Sequence, residues 1–198
     1  MKGPLRRHWV WCWLLLAGLA WGSEEGTQQH SRDRVTGAET WAAKSDGVFF
    51  SLTQILPDQL RAFYVNRGLT QEQIEPYATS CVFMTVLRND SAPGPIRFRR
   101  ADWRVRVEGN ERPLVPTNKW LATLRRQGVG QSGLIAFRWA QFPAEQTYRP
   151  GGDWNQGMLS VGLAPGQSFD LVASWRVEGA PVGGDRRKLV LKGVRCAN

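Results

Sequence analysis

The stretch Cys81-Val82-Phe83-Met84-Thr85-Val86-Leu87 is rich in apolar residues at odd and even positions alike. Strand side chains alternate between faces, so Cys81, Phe83, Thr85 and Leu87 point one way and Val82, Met84 and Val86 the other, the pattern of a central strand buried on both faces. After it, Asn89-Asp90-Ser91-Ala92-Pro93-Gly94-Pro95 is dense in turn formers. Ile96 and Phe98 then alternate with Arg97 and Arg99, and Trp103, Val105 and Val107 with Arg104 and Arg106. The apolar set passes from even to odd numbers across residues 100–102. Because a one-residue slip turns every side chain over, a bulge or bend belongs there if both halves face one core.

Further along, Thr117 or Asn118 is placed to cap a helix carrying Trp120, Leu121 and Leu124, with Gly128 past its end. Residues 134–142, 158–163, 168–177 and 188–194 read as strands. The third is the cleanest, with Phe169, Leu171, Ala173, Trp175 and Val177 on one face. Trp103, Trp139 and Trp175 fall within strands and are expected in the core. Upstream, Val48, Phe49, Phe50 and Leu52 open the domain near Gly47. Pro57 starts a helical spacing of Leu60, Phe63 and Tyr64 closed by Gly68. Thr70 and Gln73 match a capping box before Ile74, with Pro76 ending a short second helix. The expected class is mainly β: an antiparallel sandwich of seven or eight strands with two or three short helices in its connections. No internal repeat stands out.

The order Cys81 to Ser91, then Ile96 to Phe98, then Asp102-Trp103-Arg104-Val105, then Leu163-Ala164-Pro165-Gly166-Gln167-Ser168-Phe169, resembles the immunoglobulin-like domains of bacterial extracytoplasmic proteins. In those domains a strand ends in Asn before a turn, and a Pro-Gly element introduces a late strand. The resemblance covers roughly residues 80–178 and implies an immunoglobulin-like β-sandwich without implying an activity, because such sandwiches host unrelated functions. The two helices before Cys81 depart from the simplest version.

The N-terminal segment indicates export. Lys2, Arg6 and Arg7 precede an apolar run ending in Ala20-Trp21-Gly22, too short to span a bilayer, so residues 1–22 read as a signal peptide cleaved before Ser23. A periplasmic or secreted location follows. Cys12 stands at the wrong end of the run for lipid attachment. No later stretch approaches spanning length. Residues 23–46 are polar and read as a disordered lead-in, which leaves 47–198 as one domain. The leader takes three of the 26 Lys and Arg and none of the 17 acids, so the remainder carries +6. Anionic ligands are favoured by that balance. Cys81 and Cys196 remain as an even pair in an oxidising compartment, belong to no Cys-x-x-Cys motif, and are expected to form a structural disulfide.

Chemistry is limited by what is missing. His8 leaves with the leader and His30 lies in the polar segment, so a Ser-His-Asp or Cys-His arrangement has no histidine inside the domain. No metal motif and no cofactor motif is present. Met84 and Met158 read as core residues rather than copper ligands. Four carboxylates, Asp102, Glu145, Asp153 and Asp170, are the candidates for a polysaccharide hydrolase, which needs two of them across a cleft. Trp154 offers the best binding hint, because it stands with Asp153, Asn155 and Gln156 in a polar turn where no periodicity asks for an indole; the alternative is that it folds down as a plug over the sandwich end. Arg97, Arg99, Arg104 and Arg106 read as the solvated outer face of an antiparallel sheet, with a basic surface for phosphates or sulfates as the alternative. Aromatics interleaved on that face are missing, which disfavours nucleic acid. Asn89-Asp90-Ser91 matches a glycosylation sequon but reads more simply as a turn. The expected function is noncatalytic binding of an envelope protein or a glycan through loops around Trp154.

Overall fold

The computed structural model describes residues 27–181 and 186–198. The leader reading falls outside them. The strands are β1 (Gln29–Arg32), β2 (Glu39–Ser45), β3 (Val48–Gln54), β4 (Val82–Asn89), β5 (Ile96–Arg99), β6 (Arg104–Val107), β7 (Asn110–Pro113), β8 (Glu145–Tyr148), β9 (Asp153–Ser160), β10 (Ser168–Val177) and β11 (Arg186–Arg195). The α-helices form two hairpins, α1 (Pro57–Val65) with α2 (Gln71–Ala78), and α3 (Thr117–Arg126) with α4 (Gln131–Ala140).

Two antiparallel sheets result. The first runs β1-β2-β3-β4-β9. In the second, β10 pairs with β11 along one side, while β5 and β6 lie end to end along the other, flanked by β8 and β7. Between β5 and β6 sits a 3₁₀ turn, Arg100–Asp102, which is the bend that the change of apolar register requires. Through it, Phe98, Trp103 and Val105 all reach the same core with no exposed surface. The indole N–H of Trp103 donates to Ser174 O at 3.0 Å.

The sheets pack face to face through Phe50, Leu52, Phe83 and Leu87 on one side and Trp103, Leu171, Trp175 and Leu191 on the other. Phe50 meets Trp103 edge-on at 5.2 Å between centroids. The four helices then cover part of the opposite face of the first sheet. Leu60, Tyr64, Ile74, Tyr77, Leu124 and Phe137 build a second core with Val82 and Met158. This explains the stretch apolar on both faces: Phe83 faces the second sheet and Val82 faces helices. No helix of the described residues is long and apolar enough to cross a membrane.

Cys81 and Cys196 are bonded, with their Cα atoms 5.0 Å apart. Cys81 holds a φ of 60°, a left-handed conformation that a β-carbon makes costly by about 1 kcal/mol or more. The bond ties the entrance of β4 to the end of β11.

Four expectations are corrected. Of residues 134–142, those up to Ala140 belong to α4 rather than to a strand. Leu134-Ile135-Ala136-Phe137-Arg138-Trp139 is compatible with either period, and contact of Phe137 with Tyr64 and Tyr77 settles it as a helix. Trp139 is therefore 84% exposed, not core. The polar segment 23–46 contains β1 and β2, whose Trp41 and Ala43 enter the core while β1 is exposed throughout. An edge strand exposed on both faces carries no apolar alternation to read. Pro76 lies inside α2, which continues until Thr79 N bonds Glu75 O at 3.1 Å.

The helical hairpins also repeat one another. Leu69 N bonds Tyr64 O and Ile74 N bonds Thr70 O in the first; Val129 N bonds Leu124 O and Leu134 N bonds Gly130 O in the second. The left-handed glycines Gly68 and Gly128 occupy matching turns. Apart from those glycines, mostly apolar character is shared, which hid the repeat from inspection.

Candidate functional site

The helices leave one end of the first sheet's outer face uncovered. Strand register assigns the residues there. Lys44, Phe49, Arg88 and Trp154 lie abreast across β2, β3, β4 and β9. Ala42, Ser51, Val86 and Gln156 form the adjacent row. One row further on, Met158 is already buried, accepting a hydrogen bond from Tyr64 Oη at 3.3 Å.

Trp154 is 53% exposed. Beside it, the Arg88 guanidinium stands 4.8 Å from the centroid of the Phe49 ring. Arg88 is paired with the Asp90 carboxylate, and Lys44 Nζ meets the same carboxylate at 3.0 Å. Those contacts, that of Arg88 foremost, hold the Asp90 carboxyl below its ordinary value and keep it charged. The face thus offers an indole, a cation fixed over an aromatic ring, a partly exposed aliphatic side chain at Val86 and an amide at Gln156. Flat apolar groups beside fixed donors suit stacking on a ring that carries hydroxyls.

Trp154 and Gln156 share this face. Trp154 is in β9 rather than in a loop. Asn155 alternates to the opposite side of the strand, and Asp153 accepts a hydrogen bond from Arg149 N at 3.0 Å that closes the turn before β9. Phe49, Arg88 and Lys44 had no individual signal in the sequence. Their membership depends on pairing register, which only neighbouring strands supply.

The basic surface lies on the outer face of the second sheet and is partly neutralised. Arg97 meets Glu145 at 3.7 Å and Arg106 meets Glu111 at 2.6 Å. Arg104 turns back onto Ala101 O and Trp103 O at 2.7 and 2.8 Å. Arg99 stands opposite Glu145 in register. Register also sets Arg176 and Arg186 abreast of Arg97.

The four carboxylates have separate duties. Asp102 lies 4.0 Å from Arg186, Glu145 pairs with Arg97, Asp153 closes its turn, and Asp170 accepts from Gly193 N at 2.9 Å. His30 stacks on Trp41 at 4.9 Å and sits 3.2 Å from Glu39. Among the described residues no three His, Cys, Asp or Glu side chains converge as a metal site would need.

A cavity of about 350 Å³ opens beside α3, between Lys119, Trp120 and Thr123 on the helix and Ser80, Val115 and Leu163 around it. It shares no residue with the open sheet face. Comparison with known families, curated proteins and solved structures gives no match.

Proposed function

We propose that this chain is an exported, noncatalytic binding protein of the cell envelope that holds a glycan on the open half of its first sheet, around Trp154. The observation that carries the proposal is the row Phe49, Arg88 and Trp154, an exposed indole next to a guanidinium held in place by Asp90 and Phe49. A sugar ring stacks on the indole while Arg88 and Gln156 donate to its hydroxyls. Export is supported by the leader-like N-terminus and by the Cys81–Cys196 bond. Assignment to the immunoglobulin-like class is part of the same proposal, supported by two face-packed antiparallel sheets. The hydrolase alternative gains no supporting observation, since each candidate carboxylate has its own local partner.

The test is Trp154→Ala. Its melting temperature should match the parent within about 1 °C, because an exposed side chain away from core and caps contributes little. Binding to an immobilised panel of envelope polysaccharides should fall at least about tenfold, the loss of a stacking contact worth about 1.4 kcal/mol. A large drop in melting temperature with unchanged binding would make Trp154 a packing residue and remove the proposal. Loss of capture of an envelope protein, with no glycan bound by the parent, would replace the glycan by a protein.

A further inference from the structure

Helix α4 buries Gly133, Leu134 and Phe137 and turns Ile135, Arg138 and Trp139 outward. Ile135 is 47% exposed and Trp139 84%. They stand one turn apart on the same side of the helix, with Arg138 three residues after Ile135, so the three side chains form one patch. Single exposed apolar residues are ordinary. Here two share a face with a cation beside them.

Along the α3–α4 segment the charge has one sign. From Arg112 to Ala144 the chain has no Asp or Glu, and the α3–α4 hairpin carries Lys119, Arg125, Arg126 and Arg138. Arg125 and Arg126 complement the C-terminal end of α3, which accounts for two of the four. Among the described residues no carboxylate pairs with Lys119, Arg125 or Arg138. The other hairpin differs: Arg61 there is tied to Asp58 and Glu75 at 2.6 Å each. A soluble polyanion would satisfy the cations and leave Ile135 and Trp139 in water. An apolar protein groove would do the reverse.

We infer that the outward face of α4 docks on an anionic lipid bilayer, with Trp139 and Ile135 in the interfacial layer and the hairpin cations against the headgroups. Indoles concentrate at that depth, and basic side chains near an anionic leaflet add to the affinity. The inference does not depend on the Trp154 face, which belongs to a different element.

The experiment is co-sedimentation of the purified protein with vesicles of phosphatidylcholine, with and without phosphatidylglycerol. Expected is binding that requires phosphatidylglycerol and weakens with salt. The Ile135→Ser/Trp139→Ser variant should lose at least about tenfold in partitioning, and so should Arg125→Glu/Arg138→Glu. Trp139→Phe should keep binding while removing the Trp139 share of quenching by acyl-brominated lipid. Circular dichroism checks that each variant folds; if the double-serine variant does not, the Trp139→Phe quenching result decides. Absence of binding, equal binding to neutral vesicles, or unchanged partitioning of the folded double-serine variant overturns the inference. A concentration-dependent dimer of the parent, lost in that variant, would also overturn it, by assigning the patch to a second copy of this chain.

Discussion

Asn89 has no exposed surface, and its amide makes three hydrogen bonds. Nδ2 donates to Gly94 O at 3.1 Å and Tyr148 O at 3.0 Å, and Oδ1 accepts from Ala92 N at 3.0 Å. The turn after β4 is thus organised from its first residue, as the run of turn formers suggests, but the bond reaching β8 is invisible in a local reading. Asn89→Ala leaves buried carbonyls and an amide unpaired and should cost about 3 kcal/mol, lowering the melting temperature by roughly 10 °C. Glu39 sets a pH dependence. Burial pushes its carboxyl upward, but the guanidinium of Arg195 and the imidazole of His30 outweigh that and hold it below the ordinary glutamate range. The stability this contributes is fully present above the unfolded-state value of about 4.3 and is lost as pH falls through the lower folded value. Melting curves of Glu39→Gln should therefore lose part of the acid-side slope that the parent shows.

At the scale of elements, alternation is readable in β5, β6 and β10, whose outer faces carry charged residues. Residues 96–107 identify β5, the bend and β6 because arginines mark the outside at every step. Ile135 and Trp139, which in sequence suggest a buried strand, lie on the exposed face of α4. β1 was missed because neither of its faces is buried. One glycine shows how tightly α4 feeds back into the sheets. A β-carbon on Gly157 of β9 would lie 2.4 Å from Phe142 N and 2.6 Å from Phe142 Cα. The chain leaving α4 crosses there, with Phe142 N bonded to Met158 O at 2.9 Å. Gly157→Ala must displace backbone and should destabilise by about 2 to 4 kcal/mol, read as a fall of roughly 10 °C in melting temperature.

Over the whole molecule, the two-sheet architecture and the cross-link were legible, while the helical layer was half legible and the proposed binding face hardly at all. Trp154 stood out as an indole in polar surroundings. Its neighbours Phe49 and Arg88 are distant in sequence and meet it only through register. The disulfide closes a loop spanning a sequence separation of 115 residues, worth about 5 kcal/mol in the chain-entropy account. Thiol titration of the folded oxidised protein should find no free thiol at Cys81 or Cys196. Reduction should lower the melting temperature by more than 10 °C at that magnitude.

The placement of that bond also orders events in time. Cys81 waits for a partner that follows it by 115 residues, and a chain made from the N-terminus at about 5 to 20 residues per second leaves its thiol unpaired for on the order of ten seconds. In that interval the one earlier thiol in the chain is Cys12. If the segment carrying Cys12 is removed before oxidation, Cys196 is the one other cysteine left in this sequence, and the native pairing has no intramolecular competitor in it.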